Sequence, residues 1–305
     1  MSSTNRVRVS AIREVTKGVT PATPAFQDLR WVSESLGYNI ENQQSDEINA
    51  DRSKGPLVQV GFDAAGDMAF ELSSQSFDMF LEGVFCSLMT GTTTKTLVNG
   101  TTVLYHTIQK EYLDLANIRQ RFLGCVVNQM DLTIKKRSKI TGTFSFLGMD
   151  YADTAVAGAT LLPRKTTQVL NASSHVTQIL MDSVPMTTCI DMVNIKINNN
   201  MRPNTCVGSK AVSEFIPGDF DLSGGMDVYF KDLTTFNMYK AGTPFSLKLV
   251  MADDASNDVT ITLANLQFDT LKVVAGGTNQ DVMAAGTFKG SKGATYIIEY
   301  TSTPV

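Results

Sequence analysis

Apolar and polar residues alternate with period two along most of the chain, a pattern typical of β-strands with one buried face. The clearest examples are residues 6–9, 67–72, 130–134, 143–146, 193–197, 259–268 and 296–300. Within residues 259–268 the phase slips by one position near Ala264 and Asn265, and a β-bulge there would produce that slip. The pattern predicts a mainly β protein.

One segment has helical periodicity instead. Its apolar residues recur at spacings of three and four and form a single stripe: Phe77, Phe80, Leu81, Val84, Phe85 and Leu88. The first five are the predicted buried face of the helix. Ser74 or Ser76 is expected to cap the first turn, because a hydroxyl can accept a backbone N–H that has no partner within the helix. We expect this helix to cover the open side of a β-sandwich or barrel.

A motif near the start of the chain returns in the second half. Residues 62–68 and 220–226 share Phe, Asp, Gly and Met at a constant offset, and the strand positions that follow stay in phase. If one residue is inserted in the second copy, the predicted helix residues Phe77 and Gly83 match Phe236 and Gly242. Both halves are therefore predicted to contain a turn, a strand and a short helix in the same order, which indicates an internal duplication.

The duplication predicts two tandem β-sandwich or barrel domains, each with a short flanking α-helix. The expected order is an extended N-terminal arm (residues 1–27), a first domain (28–155), a linker (156–175) and a second domain (176–305). The first domain contains a polar, charged loop at residues 43–56. A loop of this length is uncommon unless it has a function.

The amino-acid composition favours a self-assembling protein over one that wraps nucleic acid. Hydrophobic residues make up 43% of the 305 residues and charged residues only 18%, below the roughly 25% usual for soluble domains. Such a surface suits a protein that covers much of itself with further copies. The net charge of −4 argues against wrapping nucleic acid, because phosphate binding needs clustered Lys and Arg, but not against enclosing it. The first 25 residues contain no secretory h-region and no run suits a membrane span, so a cytosol-like compartment is expected.

Catalytic motifs are absent from the sequence, which has neither a phosphate-binding loop nor a G-x-S-x-G elbow. His106 lies in a strand-like run and is interpreted as structural, with a general base as the alternative. Residues 253–258 faintly resemble a calcium loop but lack its spacing and closing Glu, which favours a solvated turn. Residues 135–139 form a basic hairpin tip. It is interpreted as solvated, with nucleic acid or an acidic neighbouring subunit as alternative contacts.

The four cysteines, Cys86, Cys125, Cys189 and Cys206, form no C-x-x-C pair, and the chain has only two histidines. We expect reduced thiols that pack as small apolar groups. We therefore predict no catalytic residue, no cofactor and no metal site, and a protein that is not an enzyme.

Several short segments of the first half carry a resemblance to a known family. They are residues 18–27, 36–39, 45–48 with 51–52, 70–72 leading into 77–78, 121–128 and 140–148. Together, over about residues 10–150, they resemble the tail tube proteins (major tail proteins) of long-tailed, siphovirus-like bacteriophages. The second half is placed in this family mainly through the internal repeat.

The resemblance implies subunits that form rings, and rings that stack into a hollow tube around a tape-measure protein and later conduct DNA. Further implied partners are the tail terminator and tail tip proteins, with double-stranded DNA passing through the lumen without specific binding and no membrane contact. The implied location is the virion tail, assembled in the host cytoplasm. Two domains per chain predict trimeric rings with pseudo-sixfold symmetry.

Two sets of residues are candidates for roles in this assembly. The N-terminal arm and the polar loop are expected to make ring-to-ring contacts, the loop through Ser45, Asp46, Glu47, Asp51, Arg52 and Lys54. Asp67 and Glu71 lie on the polar face of their predicted strand, opposite Met68 and Phe70, and are candidates for an acidic lumen.

Other interpretations fit the same sequence. Another virion ring component or a capsid decoration protein would share the β-rich pattern, but would not need a duplicated domain that closes into a ring. A carbohydrate-binding or hydrolytic β-sandwich usually needs exposed aromatic residues or paired acids, and the chain has one Trp and eight Tyr. The sequence leaves open whether a sheath surrounds the tube.

Overall fold

Strands dominate the chain, which confirms the predicted mainly β class. The computed structural model describes residues 3–51, 53–116, 118–255, 257–291 and 296–301. After a 3-10 turn at Thr4–Arg6, the strands of the first half are β1 Val7–Arg13, β2 Ala25–Asp28, β3 Ser33–Glu34, β4 Gly37–Gln44, β5 Leu57–Glu71, β6 Thr94–Val98, β7 His106–Tyr112, β8 Arg119–Lys135, β9 Thr141–Gly148 and β10 Asp150–Ala152.

The second half contains the remaining strands. They are β11 Thr160–Leu162, β12 Val176–Met181, β13 Val184–Pro185, β14 Ile190–Asn198, β15 Arg202–Asn204, β16 Glu214–Ile216, β17 Asp221–Tyr229, β18 Phe245–Ala252, β19 Asp258–Ala275, β20 Val282–Gly290 and β21 Tyr296–Thr301. Among the described residues each half has one eight-residue helix, α1 Asp78–Phe85 and α2 Thr234–Ala241. Nineteen of these strands form one hydrogen-bonded network, and β15 and β16 pair separately.

The two halves repeat one order of strand pairing. In the first half the antiparallel neighbours run β2–β1–β7–β8–β9–β5, and β5 then pairs with both β3 and β4. In the second half they run β13–β12–β18–β19–β20–β17–β14. The helix lies between the corresponding strands in both halves, after β5 and after β17.

The long strands β8 and β19 have irregularities at matching positions. Opposite β7, the register of β8 shifts between Cys125 and Phe122, and Gly124 there has φ of 61°. Opposite β18, the register of β19 shifts between Leu266 and Leu263, and Asn265 there has φ of 55°. Gly and Asn are the residues that most readily adopt positive φ. The β-bulge predicted at residues 264–265 is confirmed.

The halves are joined strand to strand. The C-terminal part of β8 pairs with β14 from Gln129 opposite Asn198 to Lys135 opposite Met192. A second junction pairs β6 with β21. Buried side chains of both halves form one apolar cluster, in which Leu132 and Ile195 lie opposite each other across the first junction.

Helix α1 buries Phe80, Leu81, Val84 and Phe85, together with Phe77 immediately before it. The predicted serine cap is wrong. The helix begins after Phe77, without a side-chain cap, because Ser76 hydrogen-bonds Ser73 and lies within reach of Thr167. The helix ends at Phe85, since Cys86 adopts the left-handed conformation with φ of 49°. Leu88, the last residue of the predicted stripe, therefore lies outside the helix and is exposed.

The spacing inferred for the repeat also needs correction. Strands β5 and β17 match as predicted, but the connection to the helix spans residues 72–77 in the first half and 230–233 in the second. The second connection is thus shorter, not one residue longer. The helix ends correspond at Cys86 and Gly242, which both adopt left-handed φ. Phe80 therefore corresponds to Phe236. The match of Phe77 with Phe236 in the sequence is a recurrence of the same residue type at a different helix position.

Candidate assembly surfaces

The predicted polar loop is the tip of a long hairpin formed by β4 and β5. Its residues 45–56 lie between the two strands, and Ser45 N–H donates to the Pro56 carbonyl at 3.0 Å, which closes the loop at its base. Asp46, Glu47, Asp51 and Lys54 are exposed. Arg52, also predicted here, lies outside the described residues.

Asp51 organises the turn of this loop. Its Oδ1 accepts the backbone N–H of Ser53 at 3.2 Å and the Ser53 hydroxyl at 2.6 Å. Both hydrogen bonds hold the pKa of the Asp51 carboxyl below its usual value, and the bond from the Ser53 hydroxyl has the larger effect. Asp51 is therefore negatively charged near neutral pH and holds the backbone and hydroxyl of Ser53 in place.

Apolar side chains on the same hairpin were not predicted as functional. Ile48 at the tip is fully exposed, and the strands expose further apolar side chains: Ile40, Leu57, Val58 and Val60. Exposed apolar residues that lie together on one hairpin are candidates for a contact with another macromolecule. The sequence signals were an isolated Ile among charged residues and an unbroken apolar pair, Leu57-Val58.

The N-terminal segment contributes to the first sheet. Strand β1 pairs with β7 along its whole length and buries Val9 and Ala11. The connection after β1 is held by the buried carboxylate of Glu14, which accepts hydrogen bonds from Thr107 Oγ1 at 2.7 Å and Gly18 N–H at 2.6 Å. Within that connection Val15 and Val19 are exposed. The accessible parts of the predicted arm in the described residues are thus residues 3–6 and the stretch between β1 and β2.

Asp67 and Glu71 lie on the face of β5 that points away from the core, as Met68 and Phe70 are buried. Glu71 Oε1 accepts a charged hydrogen bond from Lys139 Nζ at 2.7 Å, which neutralises it locally.

The same polar face continues from β5 through β9, β8, β14, β17 and β20 to β19, because directly opposed residues share a face. It carries charges of both signs: Asp67, Glu71, Asp131, Asp221 and Asp227, with Lys135, Lys196, Lys272 and Lys289.

His106 has the environment of a structural residue. It is fully buried, with Nδ1 3.3 Å from the Cys125 carbonyl and Nε2 3.1 Å from the Met79 carbonyl. Burial lowers its pKa to about 4, against the opposing effect of the two carbonyls. A neutral imidazole has a single N–H, so it donates to only one of these two carbonyls, that of Met79 in α1 or that of Cys125 in β8.

The cysteines fall into two classes, which corrects one expectation. Cys86 and Cys125 are buried free thiols, and burial raises the pKa of Cys86 to about 11. Cys189 and Cys206 are exposed, so these two do not pack as core residues, because their segments lie at the surface.

The remaining candidate positions have local roles. Asp253 accepts the backbone N–H groups of Ala255 and Asn257, which shapes the turn between β18 and β19. Within the described ranges, no group of three or more His, Cys, Asp or Glu side chains is placed to hold a metal ion. No helix in the described part of the chain is long and apolar enough to cross a membrane.

These features define a β-sandwich protein whose conspicuous surfaces are the β4–β5 hairpin and a polar sheet face that carries charges of both signs. A family model for the phage tail tube protein matches residues 4–290, nearly the whole chain. The chain belongs to this family: it is a structural, viral tail protein of a bacteriophage tail tube. No curated protein matched the sequence.

Proposed function

We propose that this chain polymerises into rings that stack to form the hollow tail tube. The observation that carries the proposal is the repeated strand order, with the two halves joined edge to edge through β8 and β14. Such a junction is heterologous, and a heterologous contact repeated around an axis closes into a ring when its rotation permits. Each half is one tube domain, residues 28–155 with β1 and β2 added to their sheet, and residues 176–305, so three chains supply six domains with pseudo-sixfold symmetry.

Ring-to-ring contacts are made by the β4–β5 hairpin and the accessible part of the N-terminal arm. The hairpin combines charged residues at its tip with exposed apolar side chains along its strands. A neighbouring ring that covers the apolar residues would remove them from water, while the charges would fix the orientation of the contact.

The polar face of the joined sheets lines the bore. Asp67 and Glu71 belong to this face, and its Lys residues are interspersed with acids. Double-stranded DNA passes along such a face during ejection without specific binding, because binding many phosphates requires clustered positive charge. The subunit acts without a cofactor and is not an enzyme. Its partners are the tape-measure, tail terminator and tail tip proteins, and assembly takes place in the host cytoplasm.

Electron microscopy of the purified protein tests the proposal. Rings or tubes are expected to form from the wild-type chain alone. A variant that lacks residues 45–54 should remain a folded subunit, and its rings should not stack. A wild-type protein that stays monomeric at all concentrations would overturn the proposed function, and normal tubes from the deletion variant would overturn the role of the hairpin.

A further inference from the structure

In the part of the chain that the structure describes, one edge of β19 lacks the partner that the corresponding edge of β8 has. The C-terminal part of β8 lies between β9 and β14. The C-terminal part of β19 pairs with β20, but no strand in the described residues pairs with its other edge. Leu132 of β8 is only 3% exposed, whereas Val273 of β19 is 36% exposed.

The register makes the correspondence between these strands specific. Phe146 pairs with Val127 of β8, and Phe288 pairs with Phe268 of β19. One residue further along, the register shifts in both strands, between Val127 and Gln129 and between Phe268 and Thr270. Counting from these bulges, Leu132 corresponds to Val273 and Thr133 corresponds to Val274.

The counterpart of β14 in the first half is the segment 33–39, which includes β3 and the start of β4. Val193 of β14 pairs with Met226, and Glu34 pairs with Met68, the residue equivalent to Met226 in the repeat. By the same count Ser35 corresponds to Asn194, and Leu36 to Ile195.

The outer edge of this segment is occupied by charged side chains. Ser35 N–H donates to the Asp67 carbonyl at 2.9 Å, so the backbone of Leu36 points away from β5. Leu36 N–H donates to Glu34 Oε2 at 3.0 Å, and the Leu36 carbonyl accepts from Lys110 Nζ at 2.5 Å. Inward-pointing charges of this kind protect a free edge from uncontrolled pairing.

The second half has apolar residues at the corresponding positions. Glu34 corresponds to Val193, and Lys110 to Leu249, because His106 and Phe245 occupy matching register positions. There the backbone of Ile195 lies opposite Leu132 in the β8–β14 ladder and needs no side-chain partner. The charged pair therefore occurs where the strand has no neighbour among the described residues of the chain.

We propose that residues 33–39 of one copy pair antiparallel with residues 270–276 of the next copy, as β14 pairs with β8 within the chain. The register places Ser35 opposite Val274, Leu36 opposite Val273 and Gly37 opposite Lys272 of the neighbouring copy. Pairing releases Leu36 N–H from Glu34, which keeps its contact with Lys110 at 2.7 Å. This inference rests on the proposed ring assembly and specifies its interface.

Cysteine cross-linking tests the register. In a Cys189→Ser, Cys206→Ser background, which removes the exposed thiols, Ser35→Cys is combined with Val274→Cys. The matched negative control combines Ser35→Cys with Thr270→Cys, about 14 Å out of register at ~3.4 Å per residue and thus beyond disulfide reach. The positive control is Thr133→Cys with Asn194→Cys, which face each other within one chain.

Oxidised assemblies of the Ser35→Cys, Val274→Cys variant should yield at least tenfold more interchain disulfide than the negative control, ending at a covalent three-chain product. Assemblies without this product, while the positive control forms its intrachain bond, would overturn the edge pairing alone. A closed six-chain product would support the pairing and contradict the trimeric ring. Failure of the parent background to form any ring or tube would overturn both proposals.

Discussion

His106 is expected to make the folded subunit sensitive to acid. Burial lowers its pKa to about 4 in the folded protein, whereas an unfolded histidine titrates near 6.5. Between these values the unfolded chain binds a proton that the folded chain does not, so the free energy of unfolding decreases as the pH falls. The contribution is complete above about pH 6.5 and is lost as the pH approaches 4.

The size of the effect follows from the two pKa values. Each tenfold change in proton affinity corresponds to about 1.4 kcal/mol, so the full titration removes about 3 kcal/mol, and about 2 kcal/mol is lost by pH 5. This is a large fraction of the ~5–15 kcal/mol that stabilises a typical domain.

Urea unfolding at pH 7 and pH 5 measures this loss, with the fluorescence of Trp31, which packs against the core, as the probe. The control is His106→Phe, since Phe245 occupies the matching position in the second half. Carboxylates titrate in both proteins, so the difference between their pH dependences isolates His106. Wild type should lose about 2 kcal/mol more than the variant. Equal losses would refute the assignment of a buried, neutral imidazole.

Three further predictions concern the edge, the hairpin and the bulge. Val273→Lys should leave the subunit folded but abolish rings in electron micrographs, whereas Val274→Lys, on the opposite face, should assemble. Deletion of residues 45–54 should change the free energy of unfolding by less than about 1 kcal/mol, because closure entropy varies slowly with loop length; thermal unfolding measures it. Gly124→Ala should lower the free energy of unfolding, measured in urea, by about 2 kcal/mol or more, since φ is 61° and the new Cβ would lie 2.5 Å from Met149 Sδ.

Much of the fold could be predicted from periodicity, because each long strand buries one face. The bulge at residues 264–265 was visible as a phase slip, since an inserted residue reverses which side chains face the core. Short strands such as β13 and β15 were not predictable, as they have too few residues for a period and depend on their partners. The start of α1 was also missed, because Ser76 bonds to Ser73 instead of the helix.

The assembly surfaces were predictable only in part. The charged loop stood out in composition, but the exposure of Val58 and Val60 depends on how far the hairpin extends beyond the sheet. The edge of β19 that is free within the described residues has no sequence signal. Val273 lies in an apolar run typical of a core strand, and its exposure follows from the lack of a neighbouring strand there. The repeated motif relates β5 to β17, and the pairing registers extend the equivalence to single residues.

The pair Glu34–Lys110 shows how duplicated halves can diverge at an interface. A buried ion pair is costly to desolvate, so its retention in one half alone calls for a function. Protection of a strand edge that stays free until assembly is such a function. The corresponding residues of the other half, Val193 and Leu249, are apolar, and the edge of β14 there is covered by β8.

The number of chains in each ring tests the central claim most directly. A cryo-EM reconstruction of the tube should show three chains per ring, with six similar β-domains around the bore and residues 33–39 of each chain paired with residues 270–276 of the next. Six chains per ring, or two domains of one chain at different radii, would contradict the account.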